Sequence, residues 1–114
     1  MSIQVVVARL EGLTGRAAEL RELLSDRARS VREEPGCSGY EVAELIGVPA
    51  TFLIVQTWAS AAALRAHFAS DGQASYQHAV DELLATPSHV VIHEIASTTR
   101  PSASTSPIDP GRYG

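Results

Sequence analysis

Val5-Val6-Val7-Ala8 and Phe52-Leu53-Ile54-Val55 are each four apolar residues in a row. Side chains alternate across a strand, so four apolar residues in a row place apolar groups on both sides of a sheet. Around the first run, Ile3 to Leu10 is a β-branched strand closed by Glu11-Gly12. Around the second, Thr51 to Trp58 is a strand that follows the turn Gly47-Val48-Pro49-Ala50. The alternating stretch Ser38 to Ile46 precedes that turn, so these two strands pair as a hairpin. A fourth strand is expected over Ser88 to Ile95, with Val91, His93 and Ile95 on one side and Val90, Ile92 and Glu94 on the other.

Two helical stretches separate the strands. Gly15 to Glu33 carries Leu20, Leu23, Leu24, Ala28 and Val31 at three- and four-residue steps, with Thr14 as the expected N-cap and Pro35-Gly36 as the stop. Ser60 caps the next stretch, which places Leu64, His67 and Phe68 on one side. Asp71-Gly72 breaks it, and a second piece from Gln73 to Ala85 carries Tyr76, Ala79, Val80, Leu83 and Leu84. The order β-α-β-β-α-β predicts an α+β, ferredoxin-like fold: a four-stranded antiparallel sheet with helices on one face. The other face would expose several hundred Å² of apolar surface, roughly the upper limit for a monomer. A second copy of the chain is the simplest cover, so a homodimer through the open sheet face is expected.

The 114 residues make one domain, expected over 1–96, followed by a flexible Ser/Thr/Pro-rich tail over 97–114. A net charge of −4, with nine scattered arginines and no lysine, excludes a phosphate-tracking groove and hence a nucleic-acid partner. No charged leader and no apolar run near 18 residues points to a membrane, so a cytoplasmic protein is expected. Cys37 has no cysteine partner and reads as a structural thiol.

Four pieces then occur in a telling order: the Val-rich first strand; Glu33-Glu34-Pro35-Gly36-Cys37 with Tyr40 soon after; Phe52 to Trp58; and Ala63-Leu64-Arg65-Ala66-His67 after Trp-Ala-Ser. Together they resemble the antibiotic biosynthesis monooxygenase domain over residues 3 to 95. The resemblance implies a dimeric α+β barrel. Its members include cofactor-independent oxygenases that convert polycyclic phenols to quinones, haem-degrading enzymes and enzymes acting on small signalling molecules. The haem-degrading pattern of Asn, Trp and His falls here on Ala8, His67 and a position near His78, so that branch is disfavoured. What the resemblance implies is a cofactor-free monooxygenase that oxidises an anthrone- or hydroquinone-like aromatic to a quinone with dioxygen. The alternative is a dimeric small-molecule-binding or stress-associated module without turnover. Isomerase or lyase work on a small metabolite is a third option.

Several residues could serve such chemistry. His67, on the apolar side of its helix, is the candidate catalytic base; its other role is a core histidine bonded to a neighbour. Trp58 and Tyr76 could stack on and hydrogen-bond to a flat aromatic, or simply fill the core. Tyr40 could line the same cavity. Arg9, at a strand end, could hold a phenolate, and His93 faces either the cavity or the dimer interface. No metal is expected: His89 and His93 share a strand face but lie roughly 13 Å apart. Gly12-Leu13-Thr14-Gly15 lacks the spacing and lysine of a phosphate-binding loop.

Overall fold

The computed structural model describes residues 2–101. Its elements are β1 (Ile3–Glu11), α1 (Ala17–Val31), β2 (Cys37–Glu44), β3 (Thr51–Trp58), α2 (Ala61–Phe68), α3 (Asp71–Asp81) and β4 (His89–Ile95). The sheet order is β2-β3-β1-β4, and all three pairings are antiparallel. This is the ferredoxin-like α+β arrangement. The two apolar runs form its two central strands, where a strand has neighbours on both edges and most to gain from burying both faces.

Pairing registers assign every strand residue to a face. Ala8 sits opposite Ile54 and Val90, and Val6 opposite Gln56 and Ile92. The even-numbered residues of β1 and β3 (Val6, Ala8, Leu10, Phe52, Ile54 and Trp58) are buried under the helices. Leu20, Leu24, Ala28 and Val31 of α1 pack against them, with Leu64 of α2 and Val80 of α3. Val5, Val7, Leu53, Val55, Val91 and Ile95 point away from the helices, and none of them is fully buried.

Three expectations need correction. Thr14 does not cap α1: the helix begins two residues later, behind Arg16, whose side chain makes no capping bond. Arg16 instead forks onto Glu19 across the first turn. The second helical stretch is two separate helices, and the break lies at Ala69-Ser70 rather than at Asp71-Gly72. Ser60 and Ser70 each accept a backbone N–H three residues on, from Ala63 and Gln73, so each serine restarts a helix. The predicted extension of α3 to Ala85 is instead an irregular segment. It hydrogen-bonds to the end of β1, from the Leu13 amide to Leu83 and from the Ala85 amide to Glu11, both at 2.8 Å.

Gly36 is required where α1 turns into β2. Its φ is +83°, and a Cβ there would lie 2.5 Å from that of Ala63. Its carbonyl accepts the Ala59 amide at 2.8 Å, which draws the Pro35-Gly36 turn against the start of α2. The flexible tail expected over 97–114 falls mostly outside the described residues.

Candidate functional site

A cleft lies between the helix-covered face of the sheet and helices α2 and α3. Val6, Ala8, Leu10 and Ile54 form its floor, and Gln56, Gln73 and Tyr76 its polar end. Phe68 stands at the mouth with Val90, and Ile92 continues the same apolar edge of β4; all three are 41–49% exposed. The enclosed space is about 50 Å³. That is room for a few waters or one diatomic molecule, whereas drug-sized ligands occupy roughly 300 Å³ or more. A flat ring therefore has to rest on the apolar mouth and send only its oxygen-bearing edge inward.

Behind the polar end runs a chain of buried contacts. The Trp58 indole N–H donates to Gln56 Oε1 at 2.9 Å. The Trp58 ring lies 4.7 Å from that of His67. His67 Nδ1 meets Glu34 Oε1 at 2.9 Å. Glu34 Oε2 lies 3.8 Å from Arg27 Nη2, and that same nitrogen donates to Gln73 Oε1 at 3.0 Å. The Arg27 guanidinium also sits 5.4 Å from the centre of the Tyr76 ring. The path starts at the sheet side of the cleft and returns to its helix side.

The electrostatics keep the phenols protonated. Burial pushes the Tyr40 hydroxyl up to about 12, although the Arg27 charge pulls it down. Tyr76 is pushed up further, by burial first and by Tyr40 second. Both are thus hydrogen-bond donors at neutral pH rather than bases. Burial raises the Cys37 thiol as well, which keeps it in the unreactive thiol form.

These positions sort the expected site residues. Trp58, Tyr40, Tyr76 and His67 gather on the helix side of the sheet, and of these Tyr76 lines the cleft. His67 is sealed, with 1% of its side chain exposed, and lies against Trp58 and Glu34 rather than on the cleft wall. Arg9 and His93 lie on the opposite face of the sheet, both exposed. Arg9 pairs with Glu11 at 3.5 Å, and His93 sits opposite Val5. Among the described residues no three His, Cys, Asp or Glu side chains group as metal ligands, and no helix is long and apolar enough to cross a membrane.

Arg27, Gln56 and Gln73 escaped notice in the sequence, yet two of them carry a signal. Arg27 interrupts the apolar stripe Leu20-Leu24-Ala28-Val31 on its buried side. Gln56 falls between Ile54 and Trp58 in the inward phase of β3. A polar group at an inward position has to find a buried partner. Gln73 has no such mark, because the sequence alone does not bring it to Arg27.

The sequence profile of the family described as antibiotic biosynthesis monooxygenase matches residues 3–79. The chain belongs to this family. A Deinococcus radiodurans protein provisionally described as an antibiotic biosynthesis monooxygenase is 28% identical; the match covers 88% of this chain and 99% of that one, with a TM-score of 0.82. The Rv0793 protein of Mycobacterium tuberculosis is also 28% identical, over 89% and 100% of the two chains, with a TM-score of 0.77. A Caulobacter crescentus structure at 24% identity and a TM-score of 0.78, over 84% of this chain and 92% of its own, shares the fold. No curated protein matches the chain in sequence.

Proposed function

We propose that this family member is a cofactor-independent monooxygenase that oxidises an anthrone-like aromatic to a quinone, working as a homodimer joined through the open sheet face. The observation that carries the reading is the two-part cleft, an apolar ledge at Phe68, Val90 and Ile92 leading to a small donor-lined end. The ledge suits a flat ring. The inner space suits the ring's oxygen or dioxygen.

The chemistry draws its electrons from the substrate. Loss of a proton to water at the open mouth of the cleft gives a delocalised oxyanion, which donor groups at the polar end stabilise. The anion passes one electron to dioxygen. Substrate radical and superoxide combine to form a carbon–oxygen bond, and protonation gives a hydroperoxide. Loss of water from that carbon leaves the carbonyl. One oxygen atom enters the quinone and the other leaves in water, which accounts for the four electrons removed from an anthrone-type methylene. In this scheme His67, locked by Glu34, supports Trp58 from behind.

A specific observation also favours non-catalytic binding: among the described residues no cleft-lining side chain is a base, since the polar lining is Gln56, Gln73, Gln77, Tyr76 and Ser88. Oxygen uptake with a panel of anthrones, run under ¹⁸O₂, separates the two readings. The oxygenase reading expects uptake above the uncatalysed rate and one labelled atom per quinone. Uptake at the uncatalysed rate across a panel that binds leaves a binding module.

A further inference from the structure

The two glutamines at the polar end are not free to rotate, and that fixes what the cleft offers a ligand. An amide presents either its oxygen or its NH₂ group, and the choice follows from its partners. An indole N–H and a guanidinium can only donate. The Trp58 indole at 2.9 Å therefore holds the Gln56 oxygen away from the cleft, and Arg27 at 3.0 Å does the same for Gln73. Both anchors are buried, at 0% and 9% exposure, so water does not readily replace them. Each amide is left with its NH₂ end for the cleft that both residues line. The Tyr76 side chain lines the cleft beside them, with its hydroxyl turned to Tyr40. Gln77 differs: its own NH₂ is spent on Asp81 at 2.7 Å.

The geometry points to a preorganised anion hole, in which Gln56 and Gln73 donate to one oxygen of a flat aromatic ligand and Trp58 and Arg27 act as positioning residues that forbid the amide flip. The ligand class is a planar aromatic bearing a phenolate, enolate or quinone oxygen. An aromatic whose inward group is a donor, such as an arylammonium, finds no acceptor on Gln56 or Gln73 and is disfavoured there. This assignment deepens the oxygenase reading and rests on the same cleft, but it concerns binding and does not require turnover. The positive charge of Arg27 lies behind Gln73, offset in part by the Glu34 carboxylate at 3.8 Å.

2-Hydroxyanthraquinone is a suitable probe, being a flat coloured phenol whose ionisation is followed by absorbance. Bound to the native protein, its phenolate should be favoured over its phenol by about tenfold or more, so its pKa falls by about one unit. Gln56→Leu and Gln73→Leu should each remove most of that fall. Either variant alone suffices if the other fails to fold. Trp58→Phe keeps a ring against His67 but loses the indole donor. It should reduce the fall while the probe still binds, a result that a merely space-filling Trp58 would not give. A probe pKa that is unchanged or raised on binding, a fall that survives both leucine variants, or no binding at all would overturn the anion hole. A lowered probe pKa without oxygen uptake would leave the hole standing and remove the oxygenase.

Discussion

The two faces of this sheet are built from the same strands and do opposite things. On the helix side Val6, Ala8, Leu10, Ile54 and Trp58 are sealed, and most of the polarity there is paired: Gln56 with Trp58, Arg27 Nη2 with Gln73 and Glu34, His67 with Glu34, with the buried Arg27 Nε left without a partner. On the open side Val5, Val7, Leu53, Val55 and Val91 form an apolar patch ringed by Arg9, Glu11, Glu41 and His93. Apolar surface is stabilising wherever water is excluded. Buried polarity is tolerated only where each group has a partner. One face is thus largely filled within a single chain, apart from the exposed edge at Phe68, Val90 and Ile92, and the other lacks a cover.

The largest expected effect tests the filled face. Trp58→Ala removes a fully buried ring and should cost about 3–5 kcal/mol in chemical denaturation, a large share of a typical domain's stability. Because this loss is internal to one chain, it should not depend on protein concentration. Val55→Ala on the open face should behave differently. Its smaller cost, on the order of 1 kcal/mol, should shrink towards zero as dilution separates the copies. A Val55→Ala cost that is independent of concentration would break the contrast.

A further effect is expected at high pH. Burial raises the Tyr40 hydroxyl to about 12 in the folded chain, above the ordinary tyrosine value near 10. The folded state thus binds this proton more tightly than the unfolded one. The associated stability is fully present below about pH 10 and is lost as pH rises towards 12, an effect of about 1–3 kcal/mol. Tyr40→Phe should flatten that alkaline decline in a stability–pH profile. An equally steep decline in the variant would mean that Tyr40 is not sealed on the helix side.

Much of the fold was legible because it depends on periodicity. The strand Thr51–Trp58 appears over the residues expected, and the two doubly apolar runs became the central strands. Helix ends were less legible. Thr14 looks like a cap, but the chain turns through Leu13 and Arg16, with an Arg16-to-Leu13 backbone bond of 3.0 Å, before α1 begins. At the site, Tyr76 alone of the expected aromatic residues lines the cleft, and the groups that orient its polar lining were hidden. The sequence separates Arg27 from Gln73 by 46 positions, and only packing of α1 against α3 brings them together. Arg9 and His93 illustrate the reverse. Each is a plausible ligand group by type, yet strand phase sends both to the face that carries no cleft.

We expect the open face to be closed by a twin. Sedimentation equilibrium at micromolar concentration tests it most directly. The account predicts a mass twice the 12.1 kDa of one chain for the native protein. It predicts the single-chain mass, with unchanged far-ultraviolet dichroism, for Val55→Glu, which places a charge on each side of a two-fold interface. A native protein that sediments as a single chain at that concentration would contradict it.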